Sequence, residues 1–291
     1  MWRSAIVFAA LAPGCLSAQQ DPADGIRAIL ARVSEEAEVF RAHAPSMLAE
    51  ETLVQRALKI PRRFLPRIGH PKPEYRTREI ISEYGFSSFR ESPNVLHEFR
   101  QVVMVDGKPV SSREEARHTL ALGMRSEDDR VKKRTLERFE KYGLTGAATD
   151  FGQVLLLFGR RQLDNYDFRL DGESRIGADE AIILAFKQRG GQGSVLIFEG
   201  RKAMHLPLEG RLWVRRPDFR PLRVELISVR KEGETEIRDE AGVDYTVNAQ
   251  GVPAPASVVH RQFAGSTLVV ENVFRYSPFR VFSVDAEIKF Q

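Results

Sequence analysis

The sequence predicts an α+β fold in which an N-terminal amphipathic helix precedes a large antiparallel sheet. Apolar residues recur at three- and four-residue steps between Ile26 and Phe40, which is the period of one buried helical stripe. From Tyr166 onward, short β-prone runs alternate with turn residues, as in an antiparallel meander. The sequence between these regions carries helix-capping signals, which predict a helical insertion at about residues 112–158.

Residues 1–18 are typical of a secretory signal peptide. Arg3 precedes an apolar run over residues 5–12 that is too short to span a bilayer, and small residues follow it up to Ala18. Cleavage after Ala18 would remove Cys15, the only cysteine, and would leave no thiol for disulfides or catalysis. The segment LAPGC also loosely resembles a lipobox, so the alternative is a lipid anchor at Cys15. We expect a periplasmic or secreted protein.

The charge of the chain argues against nucleic-acid binding, and its length allows a large folded domain. The chain has 44 Lys and Arg residues against 40 Asp and Glu residues, which gives a formal net charge of +4. This excess is too small for a general affinity for phosphate backbones, so we expect no nucleic-acid partner. The chain is long enough for a sizeable core. We expect a helix over residues 19–45 and a single β-rich domain over residues 46–291.

The segments that follow the first helix predict strands and one tight turn. The helix should end at Ala44-Pro45, and residues 46–60 fit either a helix or a strand. Residues 61–73 are basic and broken by prolines, which predicts an exposed loop. Two β-prone runs come next, and Asp106-Gly107 after the second run is a strong hairpin signal.

The middle of the chain predicts helices. Ser112 and Glu115 form a capping box, and Ser126 precedes the acidic first turn of a second helix that should end at Gly143. One face of this second helix is expected to consist of Val131, Thr135, Phe139 and Tyr142. The apolar run of residues 154–158 predicts a short buried helix, although its pattern also fits a strand.

Most of the second half of the chain predicts strands. The β-prone runs are YDFRL, AIILAFKQ, SVLIFEG, GRLWVRR, PLRVELISVR, VDYTV, STLVVENVFRY and VFSVDAEIKF. In the last run, over residues 282–290, apolar and polar residues alternate strictly. This alternation predicts one face in the core and one face in solvent.

The segment of residues 210–226, GRLWVRRPDFRPLRVEL, predicts a hairpin with two unlike faces. One face is apolar, and the other carries Arg211, Trp213 and Arg215. The arginines could stack on the indole and pair with acids of the chain such as Glu225, could contact an acidic partner, or could bind nucleic acid. We favour the first interpretation, because the net charge of the chain is small and the cluster then needs no external anion.

The sequence carries no recognisable catalytic, metal or cofactor motif. The six histidines are far apart, and none has a second His, Asp or Glu at a known ligand spacing. No G-x-S-x-G motif is present, and RGGQGS at residues 189–194 lacks the Lys-Ser/Thr of a phosphate loop. We therefore predict a non-enzymatic protein without a metal or cofactor. A hydrolase whose His and acidic residues converge only in the fold is the alternative.

Two segments resemble the periplasmic lipoprotein-sorting carriers. Gly210 and Trp213 with Asp218 in the following turn are similar to the family's G-x-x-W hairpin, and residues 276–279 match its aromatic Y-x-x-F turn before a terminal strand. The resemblance covers about residues 166–291, and Arg215 stands where the family usually has Asp. The chain is also similar to secreted bacterial proteins that combine a VDGKPV hairpin with this carrier-like second half.

The resemblance implies an incomplete, strongly curved barrel with helices packed on its concave side over an apolar cavity suited to acyl chains. We expect a binding protein for a lipid or lipoprotein acyl chain. The inner wall of its cavity is expected to include Leu212, Val214, Leu222, Val224 and Leu226. The alternative is an envelope interaction or sensor module with an Arg-rich partner surface. That surface would consist of Arg211, Arg215, Arg216 and Arg220, with Arg62, Arg63 and Arg67.

Overall fold

A computed structural model of the chain describes residues 22–59, 73–142, 144, 150–190, 195–199, 202–206 and 208–281. The predicted signal peptide with Cys15 lies outside these residues, and so do the predicted strand over residues 282–290 and the helix stop at Gly143. Of the predicted basic loop, only Pro73 is described, and it is exposed.

The predicted N-terminal helix is confirmed as α1, Pro22–His43. A single 3₁₀ turn, Ala44–Ser46, ends it at the predicted place, because Pro45 has no N–H to continue the helical ladder. The chain then enters a strand at Met47, which resolves the ambiguous segment of residues 46–60 in favour of β-structure.

The sheet contains 12 strands in the order β4-β3-β2-β1-β13-β12-β11-β10-β9-β6-β5, with β14 paired to β1. The strands are β1 Met47–Leu58, β2 Tyr75–Phe89, β3 Ser92–Val105, β4 Lys108–Pro109, β5 Tyr166–Ile176, β6 Asp179–Gln188, β7 Val195–Glu199, β8 Lys202–Leu206, β9 Glu209–Arg215, β10 Pro221–Glu232, β11 Thr235–Val247, β12 Pro253–Ala264, β13 Thr267–Tyr276 and β14 Arg280–Val281. β7 and β8 form a separate two-stranded sheet. All pairs are antiparallel, and β4 and β5 stay at opposite edges, so the predicted open antiparallel sheet of an α+β fold is confirmed.

The pairing of β1 with β13 joins two meanders that are far apart in the sequence. Leu53 of β1 lies opposite Phe274 of β13, and the strands remain in register from Glu51 to Ala57. We did not predict β8 or β12 from the sequence. β12 begins with Pro253 and Pro255, which lack the N–H of a ladder donor, and Pro255 lies at a bulge opposite β11.

The predicted turn and helices between β3 and β5 are confirmed with one shift. Asp106 and Gly107 have φ angles of 49° and 76°, as a two-residue hairpin turn requires. α2, Arg113–Arg125, begins at Ser112, whose side chain accepts the N–H of Glu115 at 3.1 Å. α3, Asp129–Glu140, is capped by Asp128 rather than Ser126. The apolar run Val154–Phe158 forms a short 3₁₀ helix with a largely buried set of side chains.

The helices lie on both faces of the sheet. We call the face that carries α1 the inner face; Phe40 of α1 packs edge-on against Phe86 of β2 there, with ring centroids 5.3 Å apart. α2 and the first part of α3 cover the outer face of β1–β3, where Leu120 and Met124 pack against Phe99 in a smaller core. Phe139 near the end of α3 instead packs in the main core, with its ring centroid 5.2 Å from the guanidinium carbon of Arg100. The main core therefore lies between the inner face, α1 and the 3₁₀ helix.

Candidate functional site

The inner face has two parts of opposite chemistry. Strand alternation places apolar side chains from β5, β6, β9 and β10 on one part, which we call the apolar half. The other part, the polar half, extends over β1–β3 and β11–β13 and contains buried charged and amide side chains. Buried charges in a core require partners, so the polar half is the more constrained of the two.

An aromatic cluster forms the centre of the apolar half. Phe158 of the 3₁₀ helix packs against Phe186 of β6 with ring centroids 5.2 Å apart, and Tyr166 and Phe168 of β5 complete the group. Phe158, Phe186 and Tyr166 are buried, whereas Phe168 is half-buried at the edge strand. Leu170, the next inner-face residue of β5, is 53% exposed, so apolar surface continues outward from the cluster to solvent.

The expected inner-wall residues lie mostly in this half. The side chains of Leu212, Val214, Val224 and Leu226 are buried in the main core. Leu222 is only half-buried, because a bulge between Pro221 and Arg223 puts Pro221 opposite Val214 and turns Leu222 out of the alternation. Whether these residues contact a ligand remains a prediction.

The polar half is built around Arg100 of β3, whose side chain is 3% exposed. Its Nε and Nη2 donate to both carboxylate oxygens of Glu51 of β1 at 2.8–3.1 Å, and Nη2 also donates to Oε2 of Glu98 at 2.6 Å. The guanidinium carbon lies 5.0 Å from the ring centroid of Tyr84. Tyr276 lies directly opposite Glu51 in the sheet. We call Glu51, Tyr84, Glu98, Arg100 and Tyr276 the Arg100 cluster.

Burial and mutual charge shift the protonation equilibria of this cluster. Burial raises the pKa of Glu98 from 4.5 to about 7; nearby Arg100 opposes the shift, while Asp150 and Glu51 reinforce it. Burial also raises the pKa of both tyrosine hydroxyls well above 10.0. For Arg100, burial alone would lower the pKa, but the carboxylates of Glu51 and Glu98 hold it well above its ordinary value. Glu98 is therefore the group of this cluster that changes charge near neutral pH.

A second polar chain crosses the same half. Gln55 of β1 donates to Asn272 of β13 at 2.6 Å, and the Asn272 amide lies 3.1 Å from Nδ1 of His260 of β12. Nε2 of His260 lies 3.3 Å from Asp239 of β11, which also accepts from Gln262 at 2.9 Å. Burial would raise the pKa of Asp239, but hydrogen bonds from His260 and Gln262 lower it overall. This chain holds neighbouring strands in register with its polar atoms paired.

The segment Asp150–Arg160, which we call the strap, crosses the inner face and closes both halves. The N–H of Gly152 donates to Oε1 of Glu98 at 2.5 Å, and the N–H of Leu155 donates to the hydroxyl of Tyr245 of β11 at 2.9 Å. At its end, the N–H of Arg160 donates to Glu38 of α1 at 3.3 Å. The strap is thus bonded to β3, to β11 and to α1.

Two histidines have acidic neighbours, but neither has the setting of a catalytic pair. His260 and Asp239 are covered by the ring of Phe151, whose centroid lies 4.7 Å from that of His260. His97 lies 3.3 Å from Asp150 on the outer side of β3, and its ring contacts Phe89. Neither histidine lines the cleft of about 440 Å³ on the outer face. The condition for the hydrolase alternative, a paired histidine facing a cleft, is therefore not met by these two residues.

The outer-face cleft is lined by paired charges. Arg113 and Arg117 of α2 contact Glu50 and Glu83, and Arg117 donates to Glu83 at 3.0 Å. Leu48, Ser277 and Arg280 also line it.

Among the described residues, no group of three or more His, Cys, Asp or Glu side chains could hold a metal ion. No helix in the described part of the chain is both long and apolar enough to cross a membrane.

The arginines of the hairpin have acidic partners within the chain. Arg211 donates to Asp171 at 2.8 Å, Arg215 binds both oxygens of Asp218 at 2.9 and 2.6 Å, and Arg216 contacts Glu173. Arg220 reaches the buried Glu36 of α1 at 3.1 Å. The residues Arg62, Arg63 and Arg67 lie outside the described ranges. The predicted arginine face of the hairpin is confirmed, and Trp213 on this face is 8% exposed. The predicted apolar face is confirmed except at Leu222, which the bulge displaces.

Sequence inspection missed the Arg100 cluster, although a signal was present. In β3, Glu98 and Arg100 alternate with Phe99 and share a face with the apolar Leu96 and Val102. Charged residues on the apolar face of a strand indicate either a mistaken strand or a buried ion pair. Asn272, placed between Val270 and Phe274 on the core face of β13, gives the same signal.

Comparisons with known proteins give similar solved structures at low sequence identity. Neither a protein-family model nor a curated protein sequence matches the chain. A DUF1329 family protein from Desulfovibrio piger is 12% identical with a TM-score of 0.36, over 94% of this chain and 96% of that chain. A LolA superfamily protein from Nitrosomonas europaea is 13% identical with a TM-score of 0.33, over 90% and 97%.

A third similar structure is an outer membrane lipoprotein-sorting protein domain from Vibrio parahaemolyticus, which is 10% identical with a TM-score of 0.32, over 89% of this chain and 94% of that chain. Two of the three structures carry the name of the lipoprotein-sorting group that the sequence resembles. All three TM-scores are below 0.5, so the fold rests on the order and pairing of the strands in this chain.

Proposed function

We propose that this protein is a non-enzymatic extracytoplasmic binding protein that accommodates an acyl chain of a lipid or lipoprotein against the apolar half of the inner face. The proposal rests on the way in which this half is covered. Helix α1 and the short strap lie over it, and no second sheet does so among the described residues. Such a cover can move without breaking the strand ladder, because its bonds to the sheet are few.

The chemistry of the apolar half suits an aliphatic ligand. Leu212, Val214, Val224 and Leu226 form a continuous wall across β9 and β10, and the aromatic cluster continues it over β5 and β6. Burial of apolar surface stabilises a bound chain by about 0.8 kcal/mol per CH₂ group. The exposed Leu170 and the half-buried Ile182 extend this wall to the β5 edge, where a ligand could begin to enter.

The test is native mass spectrometry of the full chain expressed with export to a bacterial periplasm, followed by solvent extraction. We expect a co-purifying acyl lipid, or uptake of a fluorescent fatty acid from vesicles by the delipidated protein. If the folded, delipidated protein neither carries a lipid nor takes up the fatty acid, the proposal is wrong.

A matched pair of variants locates the site. Leu170→Arg puts a charge at the exposed edge of the apolar half, and we expect uptake of the fatty acid to fall at least tenfold. Ile227→Arg puts the same charge on the outer face of β10, where Ile227 is 37% exposed, and should leave uptake unchanged. Equal loss in both variants, or no loss in Leu170→Arg, would exclude this location of the ligand.

The Arg-rich partner surface stays a prediction that we do not propose. Arg211, Arg215, Arg216 and Arg220 each contact an acid of the same chain. An external acidic partner would have to displace these contacts. Exchange of one exposed ion pair for another brings little net gain, and displacing Arg220 would also leave the buried Glu36 with one partner fewer.

A further inference from the structure

We infer that the strap is a pH-dependent latch, in which the protonation state of Glu98 decides how readily Asp150–Arg160 detaches from the sheet. This device is independent of the proposed ligand, since every group in it belongs to the protein. The strap is bonded to Glu98 at one end and to Glu38 of α1 at the other, so its detachment would expose the inner face.

The geometry makes the attachment short and direct. Oε1 of Glu98 accepts the N–H of Gly152, and the backbone N–H of Glu98 donates to Asp150 at 3.2 Å. Gly152 lies so close to β2 and β3 that a Cβ atom there would be 2.6 Å from the Tyr84 hydroxyl and 2.8 Å from Oε1 of Glu98. The strap therefore reaches the carboxylate only through a glycine backbone.

The charges around Glu98 do not balance when it is ionised. On its own strand Arg100 supplies one positive charge. Glu51 of β1 shares this charge, because both of its carboxylate oxygens accept from the Nε–Nη2 edge of the guanidinium. Asp150 of the strap adds a further negative charge nearby.

Within the described part of the chain, the other titratable groups that face Glu98 are neutral phenols. They are Tyr84 of β2, Tyr276 of β13 and Tyr245 of β11. The Tyr84 hydroxyl is buried beside the Tyr276 side chain. None of these phenols supplies a charge that balances a second carboxylate, so an ionised Glu98 leaves an excess negative charge in a dry site.

The direction of the effect follows from linkage. The pKa of Glu98 is about 7 with the strap closed and returns toward 4.5 when detachment lets water reach the carboxylate. The closed state therefore binds more protons than the open state between these values. The advantage of the closed state over the open state is complete below about pH 4.5. It decreases as the pH rises and is lost as the pH passes through about 7.

Hydrogen exchange of the full chain, read by mass spectrometry, tests the latch. After correction for intrinsic exchange rates, we expect the protection of strap amides to fall about tenfold between pH 6 and pH 8.5, which is the change that the two pKa values imply. Amides of α2, on the outer face, should show no such fall. An unchanged strap, a change of the opposite sign, or an equal change in α2 would overturn the inference.

Variants identify the responsible group. Glu98→Gln keeps an acceptor for Gly152 without a titrating charge, and it should abolish the pH response of the strap. Glu236→Gln removes an exposed carboxyl of β11 and should preserve the response. His97→Gln removes the imidazole that contacts Asp150 and should also preserve the response.

Loss of the response in His97→Gln, or its persistence in Glu98→Gln, would contradict the inference. If Glu98→Gln does not fold, the wild-type comparison between the strap and α2 still decides the outcome. Because the readout is amide protection without ligand, failure of this test and failure of acyl binding are separate results.

Discussion

Different interactions stabilise the two halves of the inner face. In the apolar half, closely packed side chains such as Leu212 and Phe186 exclude water without directional bonds. In the polar half, Arg100 is fixed by hydrogen bonds to Glu51 and Glu98, and His260 by contacts with Asp239 and Asn272. Apolar contacts can re-form around a ligand or a repacked neighbour, whereas a buried charge that loses its partner cannot. We therefore expect substitutions in the apolar half to lower the stability of the protein less than substitutions in the polar half.

The largest effect is expected from Arg100→Met. The variant leaves the carboxylates of Glu51 and Glu98 buried without a cation, and we expect the free energy of unfolding to fall by about 3–5 kcal/mol. Val224→Ala in the apolar half removes two methyl groups from a buried wall and should cost about 2 kcal/mol. Chemical denaturation measures both. If the free energy of unfolding falls less in Arg100→Met than in Val224→Ala, the expected difference between the two halves is wrong.

An intermediate effect is expected where the strap meets the polar half. Gly152→Ala places a methyl group within 2.8 Å of Glu98 and the Tyr84 hydroxyl, so we expect a loss of about 1–3 kcal/mol. Gly25→Ala is the control, because Gly25 is exposed in α1 and its added Cβ meets nothing within 4 Å. Alanine favours helix there, and stability should rise by up to about 1 kcal/mol. Equal effects of the two substitutions would show that the close approach of the strap is unimportant.

The smallest effects on stability are expected for two of the hairpin arginines, and these two should differ from each other. Arg220→Met removes a partner from Glu36, whose side chain is 4% exposed, and should lower the free energy of unfolding by about 1–2 kcal/mol. Arg32 still contacts Glu36, which limits the loss. Arg211→Gln breaks only an exposed pair and should leave the denaturation midpoint unchanged. If both arginines behave alike, burial of the acidic partner does not control their importance.

Local patterns were sufficient to predict most elements, because their physical causes are local. The stripe from Ile26 to Phe40, the Asp106-Gly107 turn and the Ser112 cap each depend on residues within a few positions. β12 was missed because Pro253 and Pro255 argue against a strand. In the structure Pro255 lies beside a bulge in β12, whose extra residue is Ala256 in the pairing with β11. Such a bulge becomes recognisable only when the partner strand and its register are known.

The sequence by itself determined the class of the fold, the extent of most strands and helices, and which residues of each strand share a face. Only the tertiary structure decided which strands are neighbours, and therefore which polar residues meet. Glu51 reaches Arg100 because β1, β2 and β3 lie in order, and Gln55 joins the His260 chain because β1 pairs with β13. Strand alternation depends on geometry within a strand, whereas pairing across more than two hundred residues depends on burying the whole inner face at once.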